Sequence, residues 1–322
     1  MTLWRAACLT LLVTAGCASS ADEPIAPLAP TADTTHSDAP PPVPPAVPGL
    51  GPTNRGFAPA PDLVMLDFNI ERNGSRDFDS LLGLLRNVAP DVATLQECDA
   101  PTAAKIGAAL GWSYVVDPPR QLAIFSSHPL SLIGTSKGPG EWGGIGATVD
   151  LGTHGKINVF DLHLDWQEYG PYLILAGKTD KALVDNEKKI RKHAFDEVLK
   201  LMGPSLGGRE PTFLTGDFNA PSHLDYDTIA WPMSIACRDK GLVDSYRAVN
   251  PRAAGKGPPY SWNDPGVTWS PLTEAEDKAF DRIDFIYATA NAKPVTSATL
   301  DARDVYPWPS DHRAVLSTFD LP

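Results

Sequence analysis

The chain has 322 residues, of which 43% are hydrophobic and 20% are charged, so it is long enough for one large domain or two small ones with a packed core. Its formal net charge of −12 excludes a generally basic surface, although a local basic groove is compatible with an acidic total. Four cysteines exclude a disulfide-dense scaffold, and no internal apolar run approaches the roughly 18–20 residues that a membrane-spanning helix needs.

The N-terminal segment has the pattern of an export signal. Arg5 supplies a short positive region, and an apolar stretch over residues 6–13 follows it. This stretch is too short to span a bilayer and is typical of a secretory signal peptide. The small residues before Cys17 resemble a bacterial lipobox, with Thr14 where that pattern usually has leucine. We therefore predict a signal peptide over residues 1–17 and lipidation of Cys17, which would anchor the protein to the bacterial cell envelope; an ordinary cleaved signal would instead give a secreted protein.

Residues 18–60 form a proline-rich segment that contains Pro40, Pro41 and Pro42. Alanine, threonine, serine and aspartate fill much of the rest, so the segment buries too little apolar surface to offset its ordering entropy. We predict a disordered linker that holds a domain away from a membrane. A ligand for a partner that binds polyproline helices is the alternative.

Residues 61–322 are predicted to form one domain. Short apolar runs predict strands at 63–68, 92–95, 114–116, 122–125, 157–162, 212–214, 283–287 and 314–319. Helical spacing of apolar residues predicts helices at 79–88, 102–110 and 185–202. The helices are too unevenly placed for a regular β-α alternation, so we expect an α/β fold of two packed sheets with helices outside. Cys98 and Cys237 could form a disulfide in an exported domain, and their spacing does not decide whether they do.

Charged and amide residues interrupt the predicted strands in a repeated way. Asp161, His163 and Asp165 share one face of a strand at a spacing of two, and Asp217 and Asn219 repeat that spacing. A single carboxylate at a strand end is usually a cap or a turn residue. Sites in α/β sheets are assembled at strand ends, however, and this pattern recurs along the chain. The polar segments are 66–69, 96–97, 161–165, 215–219, 281–284 and 310–312.

The residue types in these segments indicate a chemistry. Carboxylate and amide oxygens are hard ligands that suit Mg²⁺, Mn²⁺ or Ca²⁺. The sequence has no cysteine cluster and no HExxH motif, which argues against a zinc site. Histidines beside such a cation can donate to a phosphate oxygen or move a proton. The set is typical of a site in which water attacks phosphorus.

In this order, the segments resemble the endonuclease/exonuclease/phosphatase superfamily, also called deoxyribonuclease I-like. The matching motifs are Leu66–Asn69, Gln96-Glu97, His163-Leu164-Asp165, Gly216-Asp217-Phe218-Asn219, Arg282-Ile283-Asp284 and Ser310-Asp311-His312, together with the strand Leu122–Ser126. Each motif is short, but their common order over about residues 62–320 is specific. The resemblance implies a four-layer α/β/β/α sandwich of two mixed sheets with outer helices.

The resemblance also implies a metal site. Glu97 would be the main ligand of a divalent cation, with Asn69 beside it, and Asp311 would be a further ligand or would position water. Mg²⁺ is the first expectation, with Mn²⁺ or Ca²⁺ as alternatives. Family members are described with one ion or two, and both remain open here.

The catalytic residues implied by the resemblance are His163, Asp217, Asn219, Asp284 and His312. Asp217 would orient or deprotonate the attacking water, and Asn219 would help to hold the phosphate. His163 would donate to a phosphate oxygen or protonate the leaving group. His312 would contact the phosphate or act as base, oriented either by Asp284 or by Asp281.

Other residues are candidates for substrate binding: Arg120, Asp165, His223, Trp262 and Trp308. The alternatives are a solvated loop for the arginine, a loop cap for Asp165 and core packing for the tryptophans. The irregular stretches Trp166–Val184 and Tyr260–Thr273 are candidates for substrate walls, because exposed aromatic rings can stack on bases or sugars or touch lipid.

The sequence therefore predicts an exported, metal-dependent phosphoesterase, with a phosphodiesterase favoured. Its substrate would be a nucleic acid, a phospholipid headgroup or a phosphorylated sugar. A phosphomonoesterase acting on a sugar, inositol or lipid phosphate is the nearest alternative, and a non-catalytic binding module on the same fold is a distant one. We expect a monomer that contacts a membrane only through its N-terminal lipid.

Overall fold

The computed structural model describes residues 60–137, 140–251, 281–300 and 307–322. The predicted signal peptide with Cys17, the predicted linker up to residue 59, and Trp262 lie outside these ranges. In the part of the chain that is described, no helix combines the length and the apolar character that crossing a membrane requires.

The described chain folds into two six-stranded mixed sheets. The strands in chain order are Leu63–Asn69 (β1), Val92–Gln96 (β2), Ser113–Asp117 (β3), Leu122–Ser126 (β4), Leu130–Thr135 (β5), Gly143–Asp150 (β6), Lys156–His163 (β7), Thr212–Asp217 (β8), Leu242–Asp244 (β9), Asp284–Thr289 (β10), Lys293–Leu300 (β11) and Ala314–Asp320 (β12). The first sheet has the order β11-β12-β1-β2-β4-β3, and the second has the order β5-β6-β7-β8-β10-β9. The pairs β1–β2 and β7–β8 are parallel, so both sheets place two carboxyl ends side by side.

Helices accompany the two sheets in the described chain. They are Glu71–Gly74 (α1), Phe78–Val88 (α2), Ala100–Leu110 (α3), Gly170–Leu175 (α4), Asp180–Ile190 (α5), Lys192–Met202 (α6), Pro232–Asp239 (α7) and Ser245–Val249 (α8), with a short 3-10 turn at Gly152–His154. Leu85 of α2 and Ile106 of α3 share an apolar core with Phe68 of the first sheet. Val198 of α6 and Met233 of α7 pack in another core against the second sheet. The four-layer α/β/β/α expectation is therefore confirmed.

The side chains between the two sheets change from apolar to polar along the strands. On β1, Leu63 and Met65 enter the apolar core between the sheets, while Leu66 and Phe68 face the helices. Because strand side chains alternate between faces, Asp67 and Asn69 continue the inner row. The same change from apolar to polar occurs on β7, where Ile157 and Val159 are followed by Asp161 and His163, and on β2, β8 and β10. One end of the inter-sheet layer is thus polar, at the carboxyl ends of the parallel strands.

The predicted helix over residues 185–202 is wrong in one respect, because the structure divides it. Helix α5 begins earlier, at Asp180, and α6 begins after Arg191, whose φ of −105° interrupts the regular geometry. The Arg191 guanidinium is fully buried and binds the Glu187 carboxylate and the Gln167 carbonyl. Its side chain is therefore part of the interior rather than of a solvated helix face.

The two cysteines of the described chain are free and buried. Cys98 belongs to the apolar core under α2 and α3, and Cys237 belongs to the core under α6 and α7. Because the two cores lie on opposite faces of the double sheet, no disulfide joins these residues.

Candidate active site

The polar segments meet in one cavity of about 340 Å³ at the polar end of the inter-sheet layer. The parallel strands β1 and β2 deliver residues from one sheet, and β7 and β8 deliver residues from the other. The residues that line it are Asn69, Glu97, His163, Trp166, Tyr169, Tyr172, Asp217, Asn219, Ile283, Asp311 and His312. Of the predicted catalytic and metal residues, only Asp284 is not in the lining, and it contacts His312 from behind.

Glu97 is held as an anion at the edge of this cavity. It directly follows β2 in a left-handed conformation with φ of 56°, and its Oε2 accepts a hydrogen bond from the Arg72 backbone N–H at 2.7 Å. Its Oε1 accepts a bond from Asn69 Nδ2 at 3.2 Å. Burial opposes ionisation, but the Arg72 N–H and the nearby imidazoles of His163 and His312 outweigh it, so the pKa of Glu97 lies below its usual range. An ionised carboxylate suits a hard divalent cation. The Asn69 Oδ1 atom accepts a hydrogen bond from the Glu71 backbone N–H at 3.0 Å.

Asp217 lies at the centre of the site and is almost fully buried. Its Oδ2 accepts a hydrogen bond from Asn69 Nδ2 at 3.1 Å and is 3.4 Å from His163 Nε2. Its Oδ1 accepts a bond from the Asn219 backbone N–H at 2.8 Å. Burial, and then the negative charge of Asp284, raise the pKa of Asp217 to about 7. A carboxylate with such a pKa is well matched to accepting a proton from water near neutral pH.

The residue before Asp217 must be glycine, because its backbone lies against the backbone of the neighbouring strand. Gly216 has φ of +128°, and a Cβ atom there would lie 2.0 Å from the Leu162 carbonyl oxygen on the neighbouring strand. Only glycine allows β7 and β8 to approach this closely while Asp217 faces His163 across the pair. After the strand, Asn219 adopts φ of 47° and donates through Nδ2 to the Leu164 carbonyl at 2.8 Å. Asn219 therefore lines the cavity and also closes the loop.

His312 is paired with Asp284. Its Nδ1 lies 2.9 Å from Asp284 Oδ2 and 3.1 Å from Oδ1, so Nδ1 carries a proton, and Nε2 lies 3.7 Å from Asp217 Oδ2. Burial alone would lower the pKa of His312, but Asp284 and Asp217 raise it well above its ordinary value. Asp281, the alternative partner in the sequence, instead accepts hydrogen bonds from the hydroxyls of Tyr226 and Tyr169. Asp284 therefore orients His312.

The His163 ring packs against an aromatic side chain and is neutral. Its ring meets the Trp142 ring edge-on, with centroids 5.0 Å apart. Burial lowers the pKa of His163 to about 4, so the ring is neutral near pH 7. Sequence reasoning did not find Trp142, because the glycines that follow it gave no strand signal.

Arg120 lies outside the cavity, which corrects its assignment as a phosphate contact. Its guanidinium binds Asp117 at 2.8 Å, and its Nε donates to the Trp142 carbonyl at 3.3 Å. The side chain is mostly buried, so it is not a solvated loop residue either. Arg120 instead holds the backbone of the tryptophan that packs on His163.

Trp308 belongs to the core, which is the alternative that the sequence left open for it, and it does not line the cavity. It packs on Phe68 with ring centroids 5.6 Å apart, and its Nε1 donates to the His312 carbonyl at 2.6 Å. Ser310 Oγ donates to the Asn69 carbonyl at 2.6 Å. Trp308 and Ser310 thus fix the loop that carries Asp311 and His312 from the side opposite the cavity.

Two further candidates for substrate binding are not in the cavity lining. Asp165 accepts a hydrogen bond from the Gln167 N–H at 2.8 Å and caps its own loop. His223 lies against α7, where its Nδ1 is 2.9 Å from Ser234 Oγ. Trp262 and the stretch Tyr260–Thr273 lie outside the described residues.

A buried polar layer lies directly beneath the cavity. Gln96 Nε2 donates both to Asp67 Oδ1 at 2.8 Å and to Asp161 Oδ1 at 2.6 Å, which links the two sheets. Thr94 and Thr215 donate to the same two carboxylates. Burial raises the pKa of both carboxyl groups well above their ordinary values. Each strand of the layer carries a cavity residue one or two positions further on, so the layer fixes the sheets where the site begins.

A second buried network supports the loop after Asp217. Arg282 binds Asp225 at 2.8 Å and Asp244 at 2.7 Å, with all three side chains buried. Arg247 also binds Asp225, at 2.6 Å. The arginine of the Arg282-Ile283-Asp284 motif therefore anchors the backbone that presents Asp284, rather than contacting substrate.

The residues present fit a divalent cation. Carboxylates of Glu97, Asp217 and Asp311 line the cavity together with the Asn69 amide. Within the described chain, ligand atoms of Asp217, Asp284 and His312 also lie within 4.8 Å of one another. Hard oxygen donors of this kind suit Mg²⁺, Mn²⁺ or Ca²⁺.

The two-sheet sandwich with an acidic and histidine-bearing cavity at the strand ends defines a hydrolase of phosphate esters. Residues 68–312 match the Endonuclease/Exonuclease/phosphatase family, and the chain belongs to this family.

The chain is also similar to other proteins in sequence and in structure. The chain is 26% identical over 298 residues to an uncharacterized protein of Caenorhabditis elegans, with coverage of 79% of this chain and 90% of that protein. An AP endonuclease from Archaeoglobus fulgidus has a similar structure, with a TM-score of 0.59, 15% identity and coverage of 80% of this chain and 100% of that one. The 3′ phosphatase NExo from Neisseria, bound to product DNA hairpin, has a TM-score of 0.58, 21% identity and coverage of 80% and 99%. At these identities the solved structures establish the fold alone.

Proposed function

We propose that this protein is an exported hydrolase that uses a divalent cation to cleave a phosphodiester, with Mg²⁺ as the first expectation for the ion. The observation that carries the proposal is the meeting of Glu97, Asp217 and the His312–Asp284 pair in one cavity. Export, and anchoring through Cys17, are supported by the pattern of residues 1–17 alone.

The charge of the cavity supports the need for a cation. Three carboxylates line it, and the described lining residues include no lysine or arginine. A phosphate group would be repelled by this surface. Glu97, Asn69 and Asp311 would hold the ion, which when bound would offset the carboxylate charge and polarise a phosphoryl oxygen.

The protonation state of each side chain determines its role in the proposed reaction. Asp217, with its pKa raised to about 7, accepts a proton from the attacking water. His312 is an imidazolium held by Asp284, so its Nε2–H donates to a phosphoryl oxygen. His163 is neutral, fixed by Trp142, and donates or accepts one hydrogen bond at the leaving side. The Asn219 side chain also lines the cavity, where it would help to hold the phosphate.

A phosphomonoesterase is the second candidate. The cavity volume of about 340 Å³ is at the small end for ligand pockets, which favours a compact substrate with a terminal phosphate. Release of inorganic phosphate rather than an ester product distinguishes this reaction.

The proposed function is tested with a substrate panel. DNA, RNA, sphingomyelin, inositol phosphates and nucleotides are each incubated with Mg²⁺, Mn²⁺ or Ca²⁺, and products are measured with and without EDTA. We expect hydrolysis of at least one class that EDTA abolishes and that Glu97→Gln reduces at least about 100-fold, because the variant lacks the main ligand charge.

Glu210→Gln is the matched control, since Glu210 is an exposed acidic residue outside the cavity lining. Full hydrolysis in EDTA, or full activity of Glu97→Gln, would contradict the proposal.

A further inference from the structure

An exposed tryptophan stands beside the catalytic groups. Trp166 follows β7 by three residues, lines the cavity and exposes 61% of its surface. Among the large apolar side chains that are exposed in the described chain, it alone lines this cavity. Tyr169, Tyr172 and Ile283 also line the cavity and pack together in one cluster, and we call these three residues and Trp166 the aromatic wall. The lining therefore combines an apolar and aromatic part with the catalytic polar groups.

The loop that carries this wall is held in place from below. The buried Arg191 guanidinium binds the Gln167 carbonyl at 3.0 Å, and Asn186 Nδ2 donates to the Glu168 carbonyl at 2.8 Å. Gly170 has no room for a side chain, because a Cβ atom would lie 2.5 Å from Glu187 Oε1 and 2.8 Å from the Trp231 ring. These contacts fix the loop against the helices of the second sheet without a bound ligand.

The two tyrosines are also fixed. Their rings meet edge-on at 5.3 Å, and the Tyr169 hydroxyl donates to Asp281 at 3.4 Å. Because the wall is preformed, a ring that stacks on it loses little free energy to ordering of the protein.

The charges in the cavity restrict what can lie on this wall. A long polyanion needs several lysine or arginine contacts along its backbone, and the described lining residues provide none. The cavity therefore suits a single phosphate, with the group attached to it lying on an apolar surface. Aromatic rings bind the flat face of a nucleobase or the C–H face of a sugar. Nucleotides and sugar phosphates both carry such a ring next to a phosphate.

We propose that the aromatic wall binds the ring of the organic group esterified to the scissile phosphate, so that the substrate is a compact ring-bearing phosphate ester. This inference rests on the proposed function and specifies its substrate class. It assigns Trp166 as the residue that discriminates ring-bearing from ring-less esters.

The test compares substrates that share the phosphoryl group and differ in the organic group. Glycerol 3-phosphate, glucose 6-phosphate and thymidine 5′-monophosphate, each also as its methyl diester, are followed by phosphorus NMR, which detects both phosphate and methyl phosphate. We expect wild-type kcat/KM to favour at least one ring-bearing series over the glycerol series by about 5- to 150-fold, the range of a stacking contact. The sugar and nucleotide series identify which ring is bound.

Trp166→Ala is expected to bring the ratio of kcat/KM for ring-bearing and glycerol esters close to one, chiefly by raising KM for the ring-bearing esters. Trp166→Phe is expected to restore a large part of this ratio. Leu132→Ala is the matched control, because Leu132 is 54% exposed on β5 and does not line the cavity. Melting temperatures of all variants check that the fold is kept.

Equal turnover of the ring-bearing and glycerol esters by wild type, or an unchanged preference in Trp166→Ala, would overturn this inference and leave the proposed function standing. No turnover of any ester with any of the three cations, here and in the wider panel, would contradict the proposed function and this inference with it.

Discussion

Replacing Asp217 with asparagine is expected to reduce kcat by about 10²- to 10⁴-fold and, at the same time, to stabilise the fold above pH 7. The loss of turnover follows because asparagine cannot accept the proton of the attacking water. The carboxylate is placed for that role by Asn69 and by the Asn219 N–H, and its pKa of about 7 matches it to neutral conditions.

The gain in stability follows from the same pKa. Burial raises the pKa of Asp217 from an ordinary value of 3.8 to about 7, so the folded state binds this proton more tightly than the unfolded state. The resulting cost to stability is absent below about pH 4, grows as the pH rises and is complete above about pH 7. At 1.36 kcal/mol per pKa unit this cost is roughly 4 kcal/mol as an upper bound. We expect Asp217→Asn to recover roughly 1–4 kcal/mol at pH 8.

Urea unfolding at pH 4, 6 and 8 measures this difference, with EDTA present so that cation binding does not stabilise the wild type. Asp320→Asn is the control, since Asp320 is an exposed carboxylate at the far end of β12. A variant that keeps more than a tenth of wild-type kcat, or that is destabilised equally at all three pH values, would contradict the role assigned to Asp217.

The His312–Asp284 pair is expected to act as one unit. His312→Ala and Asp284→Asn should each lower kcat by about 10²- to 10⁴-fold, and the double variant should be no worse than His312→Ala. The reason is that Asp284 holds the Nδ1–H of His312 at 2.9 Å and keeps the ring protonated, and this contribution is already lost when His312 is absent.

The pH dependence provides a sharper readout. In wild type, the raised pKa of His312 keeps the imidazolium present to well above pH 6.5, so the loss of kcat that follows its deprotonation should occur at alkaline pH. Protonation of Asp217 should separately lower kcat below about pH 7. Asp284→Asn removes the main attractive charge, and the alkaline fall should move to lower pH. Asp281→Asn is the control, because Asp281 contacts two tyrosine hydroxyls rather than His312. Additive losses in the double variant, or an alkaline limb that does not move in Asp284→Asn, would contradict the pairing.

Much of the fold and the site could be predicted because period-two alternation is a local property. Leu63, Met65, Asp67 and Asn69 already show an apolar row becoming polar on one strand face. Alternation does not show how far along a strand the site lies. Asp161, His163 and Asp165 have the same spacing, but they lie below the site, in it and beyond it, because the sheet edge falls at His163.

Strand β6 could not be predicted, because its glycines carry no strand preference. Gly146 leaves room for the Phe160 ring, which a Cβ atom would approach to 2.5 Å. A Cβ atom at Gly144 would lie 2.7 Å from the Asp161 carbonyl oxygen. These requirements come from neighbouring β7, which the local sequence around Gly143–Asp150 does not record.

The positions of Trp308 and Arg120 were unpredictable for a similar reason. A tryptophan before a catalytic loop is compatible with a substrate contact or with core packing, and the contact with Phe68, far away in the sequence, places it in the core. Residue type indicates what a side chain can do, whereas its place depends on partners that the fold brings together.

The central claim is that Asn69, Glu97 and Asp311, from different strands and loops, converge on one divalent cation beside Asp217 and His312. Anomalous scattering from crystals soaked in Mn²⁺ tests this claim directly. We predict a manganese peak in the cavity in contact with the Glu97 carboxylate, and its loss in Glu97→Gln crystals. A cavity without manganese in wild-type crystals, or a peak that Glu97→Gln leaves unchanged, would contradict the account.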